Sequence, residues 1–283
     1  MYHGTFGTKV NKAPLFLDLF PGAKVAYSLR KLRQDYYGNC IQIQNDAGAT
    51  LDIPFYEDYF DFQYAEDFLK NSARGYVTKL YDQSGNGNDA TLSISAAPGA
   101  ASIFTDGKIN YRNGRVIIKA LASSPGYYLF TSFSAVTDFS SFVVQKRNAS
   151  AVDGWYFSST SRGVIAGGQY RDNNVYLQVV RATGVGNGTS YSVAQNTTDY
   201  NLLSGYYRIS PLVAEVWKNG VKLTLSGGTG FNPNGLNFNT IGQYNSAGVS
   251  AAQAELSEAV LYTKNMSDAA KAMNENIMRF YGL

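Results

Sequence analysis

The chain has one cysteine, one histidine and seven prolines in 283 residues, and charged side chains make up only 16%. Each scarcity excludes something. With Cys40 alone, neither an intrachain disulfide nor a cysteine-based zinc site can form. With His3 alone, a histidine-rich metal site is excluded, and a Ser-His-Asp or Cys-His mechanism would have to recruit a residue at the N-terminal end. Calcium, bound through oxygen ligands, stays open. Lys+Arg 24 against Asp+Glu 21 leaves +3, too little to attract nucleic acid or a membrane surface by charge. The local excess Arg30, Lys31 and Arg33, followed by Asp35, reads as a solvated basic turn. No run reaches the ~18 apolar residues of a membrane-spanning helix, so no membrane insertion is expected. The first residues lack the basic start, apolar stretch and small-residue cleavage site of a signal peptide, and export by such a signal is not expected.

Aromatics and glycine are abundant. Tyr 22 and Phe 16 carry the aromatic share to 14%, beside Gly 28. Such residues pack on pleated surfaces or form turns. Residues 40–44 alternate strictly between apolar and polar, 45–48 turn, and 50–55 read as a partner strand. Residues 75–81 form another strand before a dense polar loop, 82–89. Strand candidates then follow at 115–119, 127–130, 141–145, 155–158, 163–166, 175–181, 190–194, 205–209, 213–217, 221–225, 238–243 and 258–262. A spacing of about 8–15 residues, with Gly, Asn, Asp or Ser between, describes an antiparallel sandwich rather than alternating βα units. Lys218-Asn219-Gly220 is a tight hairpin turn. Helical spacing appears near 23–33, through Val25, Ala26, Leu29 and Leu32, and again near 58–70, through Tyr59, Phe62, Tyr64, Phe68 and Leu69. A third helix is expected over 267–281, with Ser267 as N-cap, Met273, Ile277 and Phe280 on one face, and Gly282 as its stop. Residues 1–20 read as an arm and 21–283 as one domain.

Two stretches carry a more specific pattern. One runs from Pro21-Gly22-Ala23-Lys24-Val25-Ala26-Tyr27-Ser28 to Tyr81-Asp82-Gln83-Ser84-Gly85-Asn86-Gly87-Asn88-Asp89. The other comprises Leu256 to Tyr262, Met266-Ser267-Asp268 and Phe280-Tyr281-Gly282-Leu283. Together they resemble the concanavalin A-like lectin/glucanase (laminin G-like) superfamily, in the branch related to the arabinofuranosidase B catalytic domain, as found in phage virion proteins. The resemblance implies an all-β antiparallel jelly-roll sandwich, with sugars bound on a concave sheet or its loop rim. The short helices, including a C-terminal one, complete the expected fold class.

Glycoside hydrolysis needs two carboxyl groups about 5–9.5 Å apart. No Glu-x-Asp-x-x-Glu run exists, and Glu255 and Glu258, three apart, point to opposite faces of a regular strand. The vicinal cysteine pair of the arabinofuranosidase relatives is absent. Glu258 reads as half of a buried pair with an arginine such as Arg208, and Glu215 as a solvated strand residue on the face opposite Trp217. Asp82, Gln83, Asn86, Asn88 and Asp89 could bind a sugar or calcium, or could satisfy their own turns. Trp155 and Trp217 could stack on sugar rings or anchor the core. These seven are the candidate ligand-binding residues; no catalytic residue is assigned, and no cofactor is expected beyond the calcium alternative.

The function expected is a non-enzymatic phage virion protein, a head fibre, decoration or tail adhesin, presenting a lectin-like surface at the virion exterior. Its expected partners are other virion proteins through the arm, host-surface glycans, and further copies of itself in a homo-oligomer. A carbohydrate-binding surface module and an arabinofuranosidase-like hydrolase are the alternatives.

Overall fold

The computed structural model describes residues 12–93, 101–120, 127–147, 157–158, 164–171, 174–179, 189–194, 198–208, 210–226, 236–242 and 254–283. The described strands are paired antiparallel, as the turn spacing requires; apart from two small hairpins they form one continuous sheet that folds into two facing layers, each a sheet of the sandwich. One sheet runs, in spatial order, through Thr50–Ile53, Ile41–Asn45, Arg74–Leu80, Ala90–Leu92, Tyr127–Val136, Leu236–Gly242, Phe157–Ser158, Val164–Arg171, Asn174–Val179 and Thr189–Ala194. The other centres on Ala254–Tyr262. Val25–Ser28 and Ile118–Ala120 pair with one edge of that strand, and Phe139–Arg147, Asn201–Arg208, Val213–Lys218 and Val221–Lys222 follow from its other edge. Ala101–Thr105 pairs with both Arg74–Leu80 and Ile118–Ala120 and so joins the two sheets at one side.

The alternating side chains of both sheets meet between them. Ile41, Val77, Tyr128 and Ile241 from one sheet and Tyr27, Phe139, Val143 and Leu203 from the other belong to a single buried cluster. The second sheet is buried on its outer face too, which is why Ala254–Tyr262 has no exposed position. Its outward residues Phe142, Val144, Tyr206, Val260 and Tyr262 form a second cluster with two helices, α1 (Phe16–Leu19) and a longer C-terminal one. Phe142 lies 5.7 to 6.2 Å, ring to ring, from Phe16, Tyr206 and Tyr262. Each such buried side chain contributes about 1.5–3 kcal/mol of apolar burial.

Two of the three expected helices form. α2 (Phe62–Leu69) starts where the Asp61 carboxylate accepts the Tyr64 N–H, and it buries Ala65 and Leu69. α3 (Ala270–Tyr281) ends at Gly282, whose φ of 68° lies in the left-handed region where glycine has no Cβ penalty. α3 starts later than expected. Ser267 opens a 3-10 turn and donates its hydroxyl to Asn265, so it does not cap the helix. The buried face is Met273, Ile277 and Tyr281, with Phe280 at its edge. Asn274 fixes that face to the sheet by accepting from Ser204 Oγ (2.7 Å) and donating to Tyr206 Oη (2.9 Å).

The helix expected near 23–33 is instead a strand, Val25–Ser28, in register with Ala254–Tyr262. Its apolar spacing came from burial on both faces: Val25 and Tyr27 enter the inner cluster and Ala26 the outer one. A short apolar run of this kind has no periodicity that separates strand from helix.

The boundary at residue 20 also needs correction. Phe16 and Leu17 are 1% and 4% exposed. The Leu17 N–H donates to Leu32, and Tyr262 Oη donates to the Phe20 carbonyl. Phe16, Leu17 and, in part, Phe20 therefore pack on the outer face of the sandwich, and residues 1–11 lie outside the described residues. Replacing Phe16 by alanine should cost about 3–5 kcal/mol in denaturant unfolding. Replacing half-exposed Leu19 should stay within about 0.5 kcal/mol. Equal, small effects would mean that the segment does not belong to the domain.

Burial also sets an alkaline limit. Desolvation pushes the phenols of Tyr27, Tyr128, Tyr206, Tyr262 and Tyr281 well above the ordinary value near 10. Their contribution to stability is complete below about pH 10, where the unfolded chain also keeps its phenols protonated. It is lost as the pH climbs toward the folded-state values, because only the unfolded chain ionises. Absorbance at 295 nm should show the buried tyrosines ionising together with unfolding, and a gradual titration of all of them in the folded state would contradict this burial.

Candidate functional site

The polar loop 82–89 was the strongest motif in the sequence, and its geometry is inward. The Asp82 carboxylate accepts from Ala26 N (2.9 Å), Ser84 N (2.9 Å), Ser84 Oγ (2.7 Å) and Asn88 N (3.0 Å). Gln83 accepts from Leu32 N and donates to the carbonyls of Ser28 and Arg30. Asn86 donates to the carbonyls of Ala23 and Lys24, Asn88 donates to Lys24, and Asp89 accepts from Asp82 N. Gly85 and Gly87, at φ of 91° and 69°, allow the turns. The structure thus brings these five candidates together and directs these hydrogen bonds to segment 23–32 and to the loop itself, with Asp89 also 3.9 Å from Lys79. Among the described residues, no three His, Cys, Asp or Glu side chains gather as a metal site would need.

The two tryptophans are not part of this cluster. Trp155 lies outside the described residues. Trp217 is half-buried on the outer cluster, edge-on to Tyr206. Glu215 shares its face, as an alternation of two demands, and accepts the indole N–H at 3.0 Å, correcting the opposite-face expectation. Glu215 also pairs with Lys222 at 2.7 Å.

Glu255 and Glu258 do not diverge. Val144 stands opposite Glu258 while Gln145 stands opposite Leu256, so Ser257 is an extra, bulged residue. A bulge shifts the alternation by one and turns both glutamates to the outer face. Glu258, with no exposed side-chain surface, receives Arg30 Nε at 2.7 Å and Nη2 at 3.0 Å, together with Ser28 Oγ at 2.9 Å and Tyr281 Oη at 3.1 Å. Burial alone would lower the Arg30 pKa, but the carboxylate outweighs it and holds Arg30 charged. Glu255 receives Arg112 through a second two-point contact, at 2.9 and 2.6 Å. The buried pair anticipated for Glu258 exists, but with Arg30 rather than Arg208. Arg30 follows directly on the strand whose Ser28 faces Glu258, whereas Arg208 turns back to the Pro211 carbonyl.

A wider concavity lies elsewhere among the described residues. A small hairpin, Phe55–Tyr56 against Tyr59–Phe60, turns at Glu57, which takes a φ of 55°. Together with α2 it bounds a groove of about 690 Å³. Tyr56, Tyr59, Phe62 and Tyr64, 44 to 70% exposed, line it, with Glu57, Gln63 and Asp67. A recess of about 180 Å³ shares Tyr59, Phe60 and Phe62 with the groove and adds Arg30, Tyr111, Arg115 and Phe280. Tyr59 and Phe280 stack at 5.9 Å. The sequence pattern placed Tyr59, Phe62 and Tyr64 on a helical core face and so missed this surface. The available signal was surplus: α2 buries Ala65 and Leu69 and packs Phe68 partly against the core, leaving Phe62 and Tyr64 exposed.

No family model and no curated protein matches the chain. Solved structures do. An arabinofuranosidase complexed with arabinofuranosyl-α-1,2-xylobiose superposes at a TM-score of 0.57 and 18% identity, over 90% of this chain and 62% of that one. A GH54 α-L-arabinofuranosidase soaked with a cyclic sulfate inhibitor superposes at 0.56, with the same identity and coverage. The chain spans less than two thirds of those enzymes, and the likeness is one of fold: a β-sandwich.

Because Glu258 is enclosed, removing either partner strands a charge. Glu258→Ala should destabilise the protein by about 3–5 kcal/mol, whereas the apolar double variant Arg30→Met/Glu258→Leu should be distinctly less damaging. Thermal or urea unfolding of the three chains checks this, and a harmless single variant would remove the pair from its structural role.

Proposed function

We propose that the protein is a non-hydrolytic carbohydrate-binding sandwich that engages sugar rings in the groove between the 55–60 hairpin and α2. One observation carries this: four aromatic side chains stand exposed along a single concavity beside Glu57, Gln63 and Asp67. Clustered exposed aromatics mark an interaction surface. Pyranose and furanose rings present C–H faces that stack on aromatic rings, and their hydroxyls need the carboxylate, amide and phenol groups at the rim. The sandwich fold is compatible with sugar recognition, since the superposed relatives are arabinofuranosidases.

Binding without hydrolysis is favoured by the state of the acids. Glu255 and Glu258, which the bulge puts on one face, are each held by an arginine in a two-point contact, so neither stands ready as an acid or nucleophile. The wider setting we propose is the surface of a phage particle. There the protein would act as a fibre, decoration or adhesin on host-surface glycans, docked through its first residues and assembled with further copies. That setting rests on the resemblance of the segments beginning at Pro21 and Tyr81. Deleting residues 1–11 should leave a folded, glycan-binding domain that no longer incorporates into particles, and incorporation at the normal level would remove the docking role.

Tyr56→Ala and Phe62→Ala should each weaken glycan binding about tenfold, ~1.4 kcal/mol, in calorimetric titration, with little change in melting temperature. An oligosaccharide panel without a single binder would refute the reading. Aryl arabinofuranosides should not be turned over. Turnover that a single Asp or Glu substitution abolishes would restore the hydrolase alternative.

A further inference from the structure

We infer that the recess at the end of the aromatic groove is an anion subsite, built around Arg115, that selects glycans carrying a carboxylate. The inference rests on the glycan-binding reading and deepens it. The groove and the recess adjoin, sharing Tyr59, Phe60 and Phe62 in their linings, yet their charges differ. The groove rim carries Glu57, Asp61 and Asp67, whereas the recess is lined by two guanidiniums, Arg30 and Arg115, and by no carboxylate. Arg30 is already neutralised by Glu258. Arg115 has no acidic partner among the described residues: its Nε donates to the Phe280 carbonyl at 3.1 Å.

The side chain is held for recognition. Its guanidinium lies 4.2 Å from the Phe280 ring centroid and 5.7 Å from that of Tyr59. Arg30 lies 4.5 Å from the same Phe280 ring. With the guanidinium lying over Phe280 and Nε committed to a carbonyl, the two terminal nitrogens remain as a fork, and a carboxylate matches that fork with two parallel hydrogen bonds. Ordering an arginine normally opposes binding through lost rotamer freedom, and here the fold has already ordered it. The neighbouring Arg30 adds positive potential that Glu258 offsets, so the unbalanced charge in the recess belongs to Arg115. A sugar ring stacked in the groove would place its acidic substituent toward the recess and away from Glu57, Asp61 and Asp67, which would repel it. An acidic sugar is therefore read in one orientation.

The test is a panel of oligosaccharides containing uronic or sialic acid, each presented beside its methyl ester, together with neutral oligosaccharides, titrated against the full chain. The free acids should bind at least tenfold more tightly than their esters. In Arg115→Gln the acid-to-ester ratio should collapse toward one, and in Arg115→Lys, which keeps the charge but not the fork, it should be intermediate. Melting temperatures identify a variant that fails to fold, and the wild-type acid-to-ester ratio then decides alone. Equal binding of acids and esters, or binding of neutral sugars only, would overturn the anion subsite and leave the glycan reading intact. A ratio that persists in Arg115→Gln would overturn the assignment to Arg115, and no binding to any member would overturn both readings.

Discussion

A carboxylate with no exposed surface has to be met by a cation, and much of this molecule's site geometry follows from how Glu258 is met. The cation is Arg30, which leaves the strand Val25–Ser28 just beyond the point where Ser28 faces Glu258. Anchoring Arg30 fixes the backbone around it. Leu29 accepts the Phe60 N–H, Lys31 donates to the Asp58 carbonyl, and Arg30 bridges Tyr59. Those contacts dock the hairpin that walls the aromatic groove. Tyr281 closes the pair from α3, and its neighbour Phe280 supplies the ring over which both guanidiniums lie. One buried ion pair thus connects the central strand, the C-terminal helix and the candidate binding surface. A pair of this kind offers weak net stability but strong specification, because every misplacement strands a charge.

The same segment is held from its other side by the polar loop. Asp82 and Gln83 satisfy the backbone of residues 26 to 32 where no strand can do so, since Val25–Ser28 is short and the chain then turns away. A buried extended segment needs partners for every N–H and carbonyl. Side chains of Asp, Gln and Asn supply them here. The conspicuous composition of the loop therefore answers a folding requirement, and the ligand-binding role we propose belongs to plain-looking aromatics some 20 residues earlier in the chain.

Aromatic side chains are divided between three duties. Tyr27, Phe139 and Tyr207 fill the space between the sheets. Phe142, Tyr206 and Tyr262 bind the outer face of the second sheet to α1 and α3. Tyr56, Tyr59, Phe62 and Tyr64 remain on the surface. The abundance of Tyr and Phe that makes the composition read as β thus serves packing first, and what the core cannot hold forms the groove.

Much of the architecture is legible in the chain itself. Alternation at 40–44, the spacing of turns and the Asn219-Gly220 hairpin determine an antiparallel sandwich, because a period of two and a tight turn are local properties of the chain. The stop at Gly282 is local as well. Where the outcome depended on partners distant in sequence, the chain alone was silent or misleading. Val25–Ser28 became a strand because Ala254–Tyr262 lies beside it, more than 200 residues away, and burial on both faces erased the period that would have revealed it. The bulge at Ser257 turned Glu255 and Glu258 to one face, which an alternation rule applied to an unbroken strand inverts. Arg30 displaced Arg208 as the partner of Glu258 because pairing register, not proximity in the sequence, sets which charges meet. The groove is likewise a tertiary product: its aromatics look like a core stripe until α2 docks through Ala65, Phe68 and Leu69 and leaves Phe62 and Tyr64 outside.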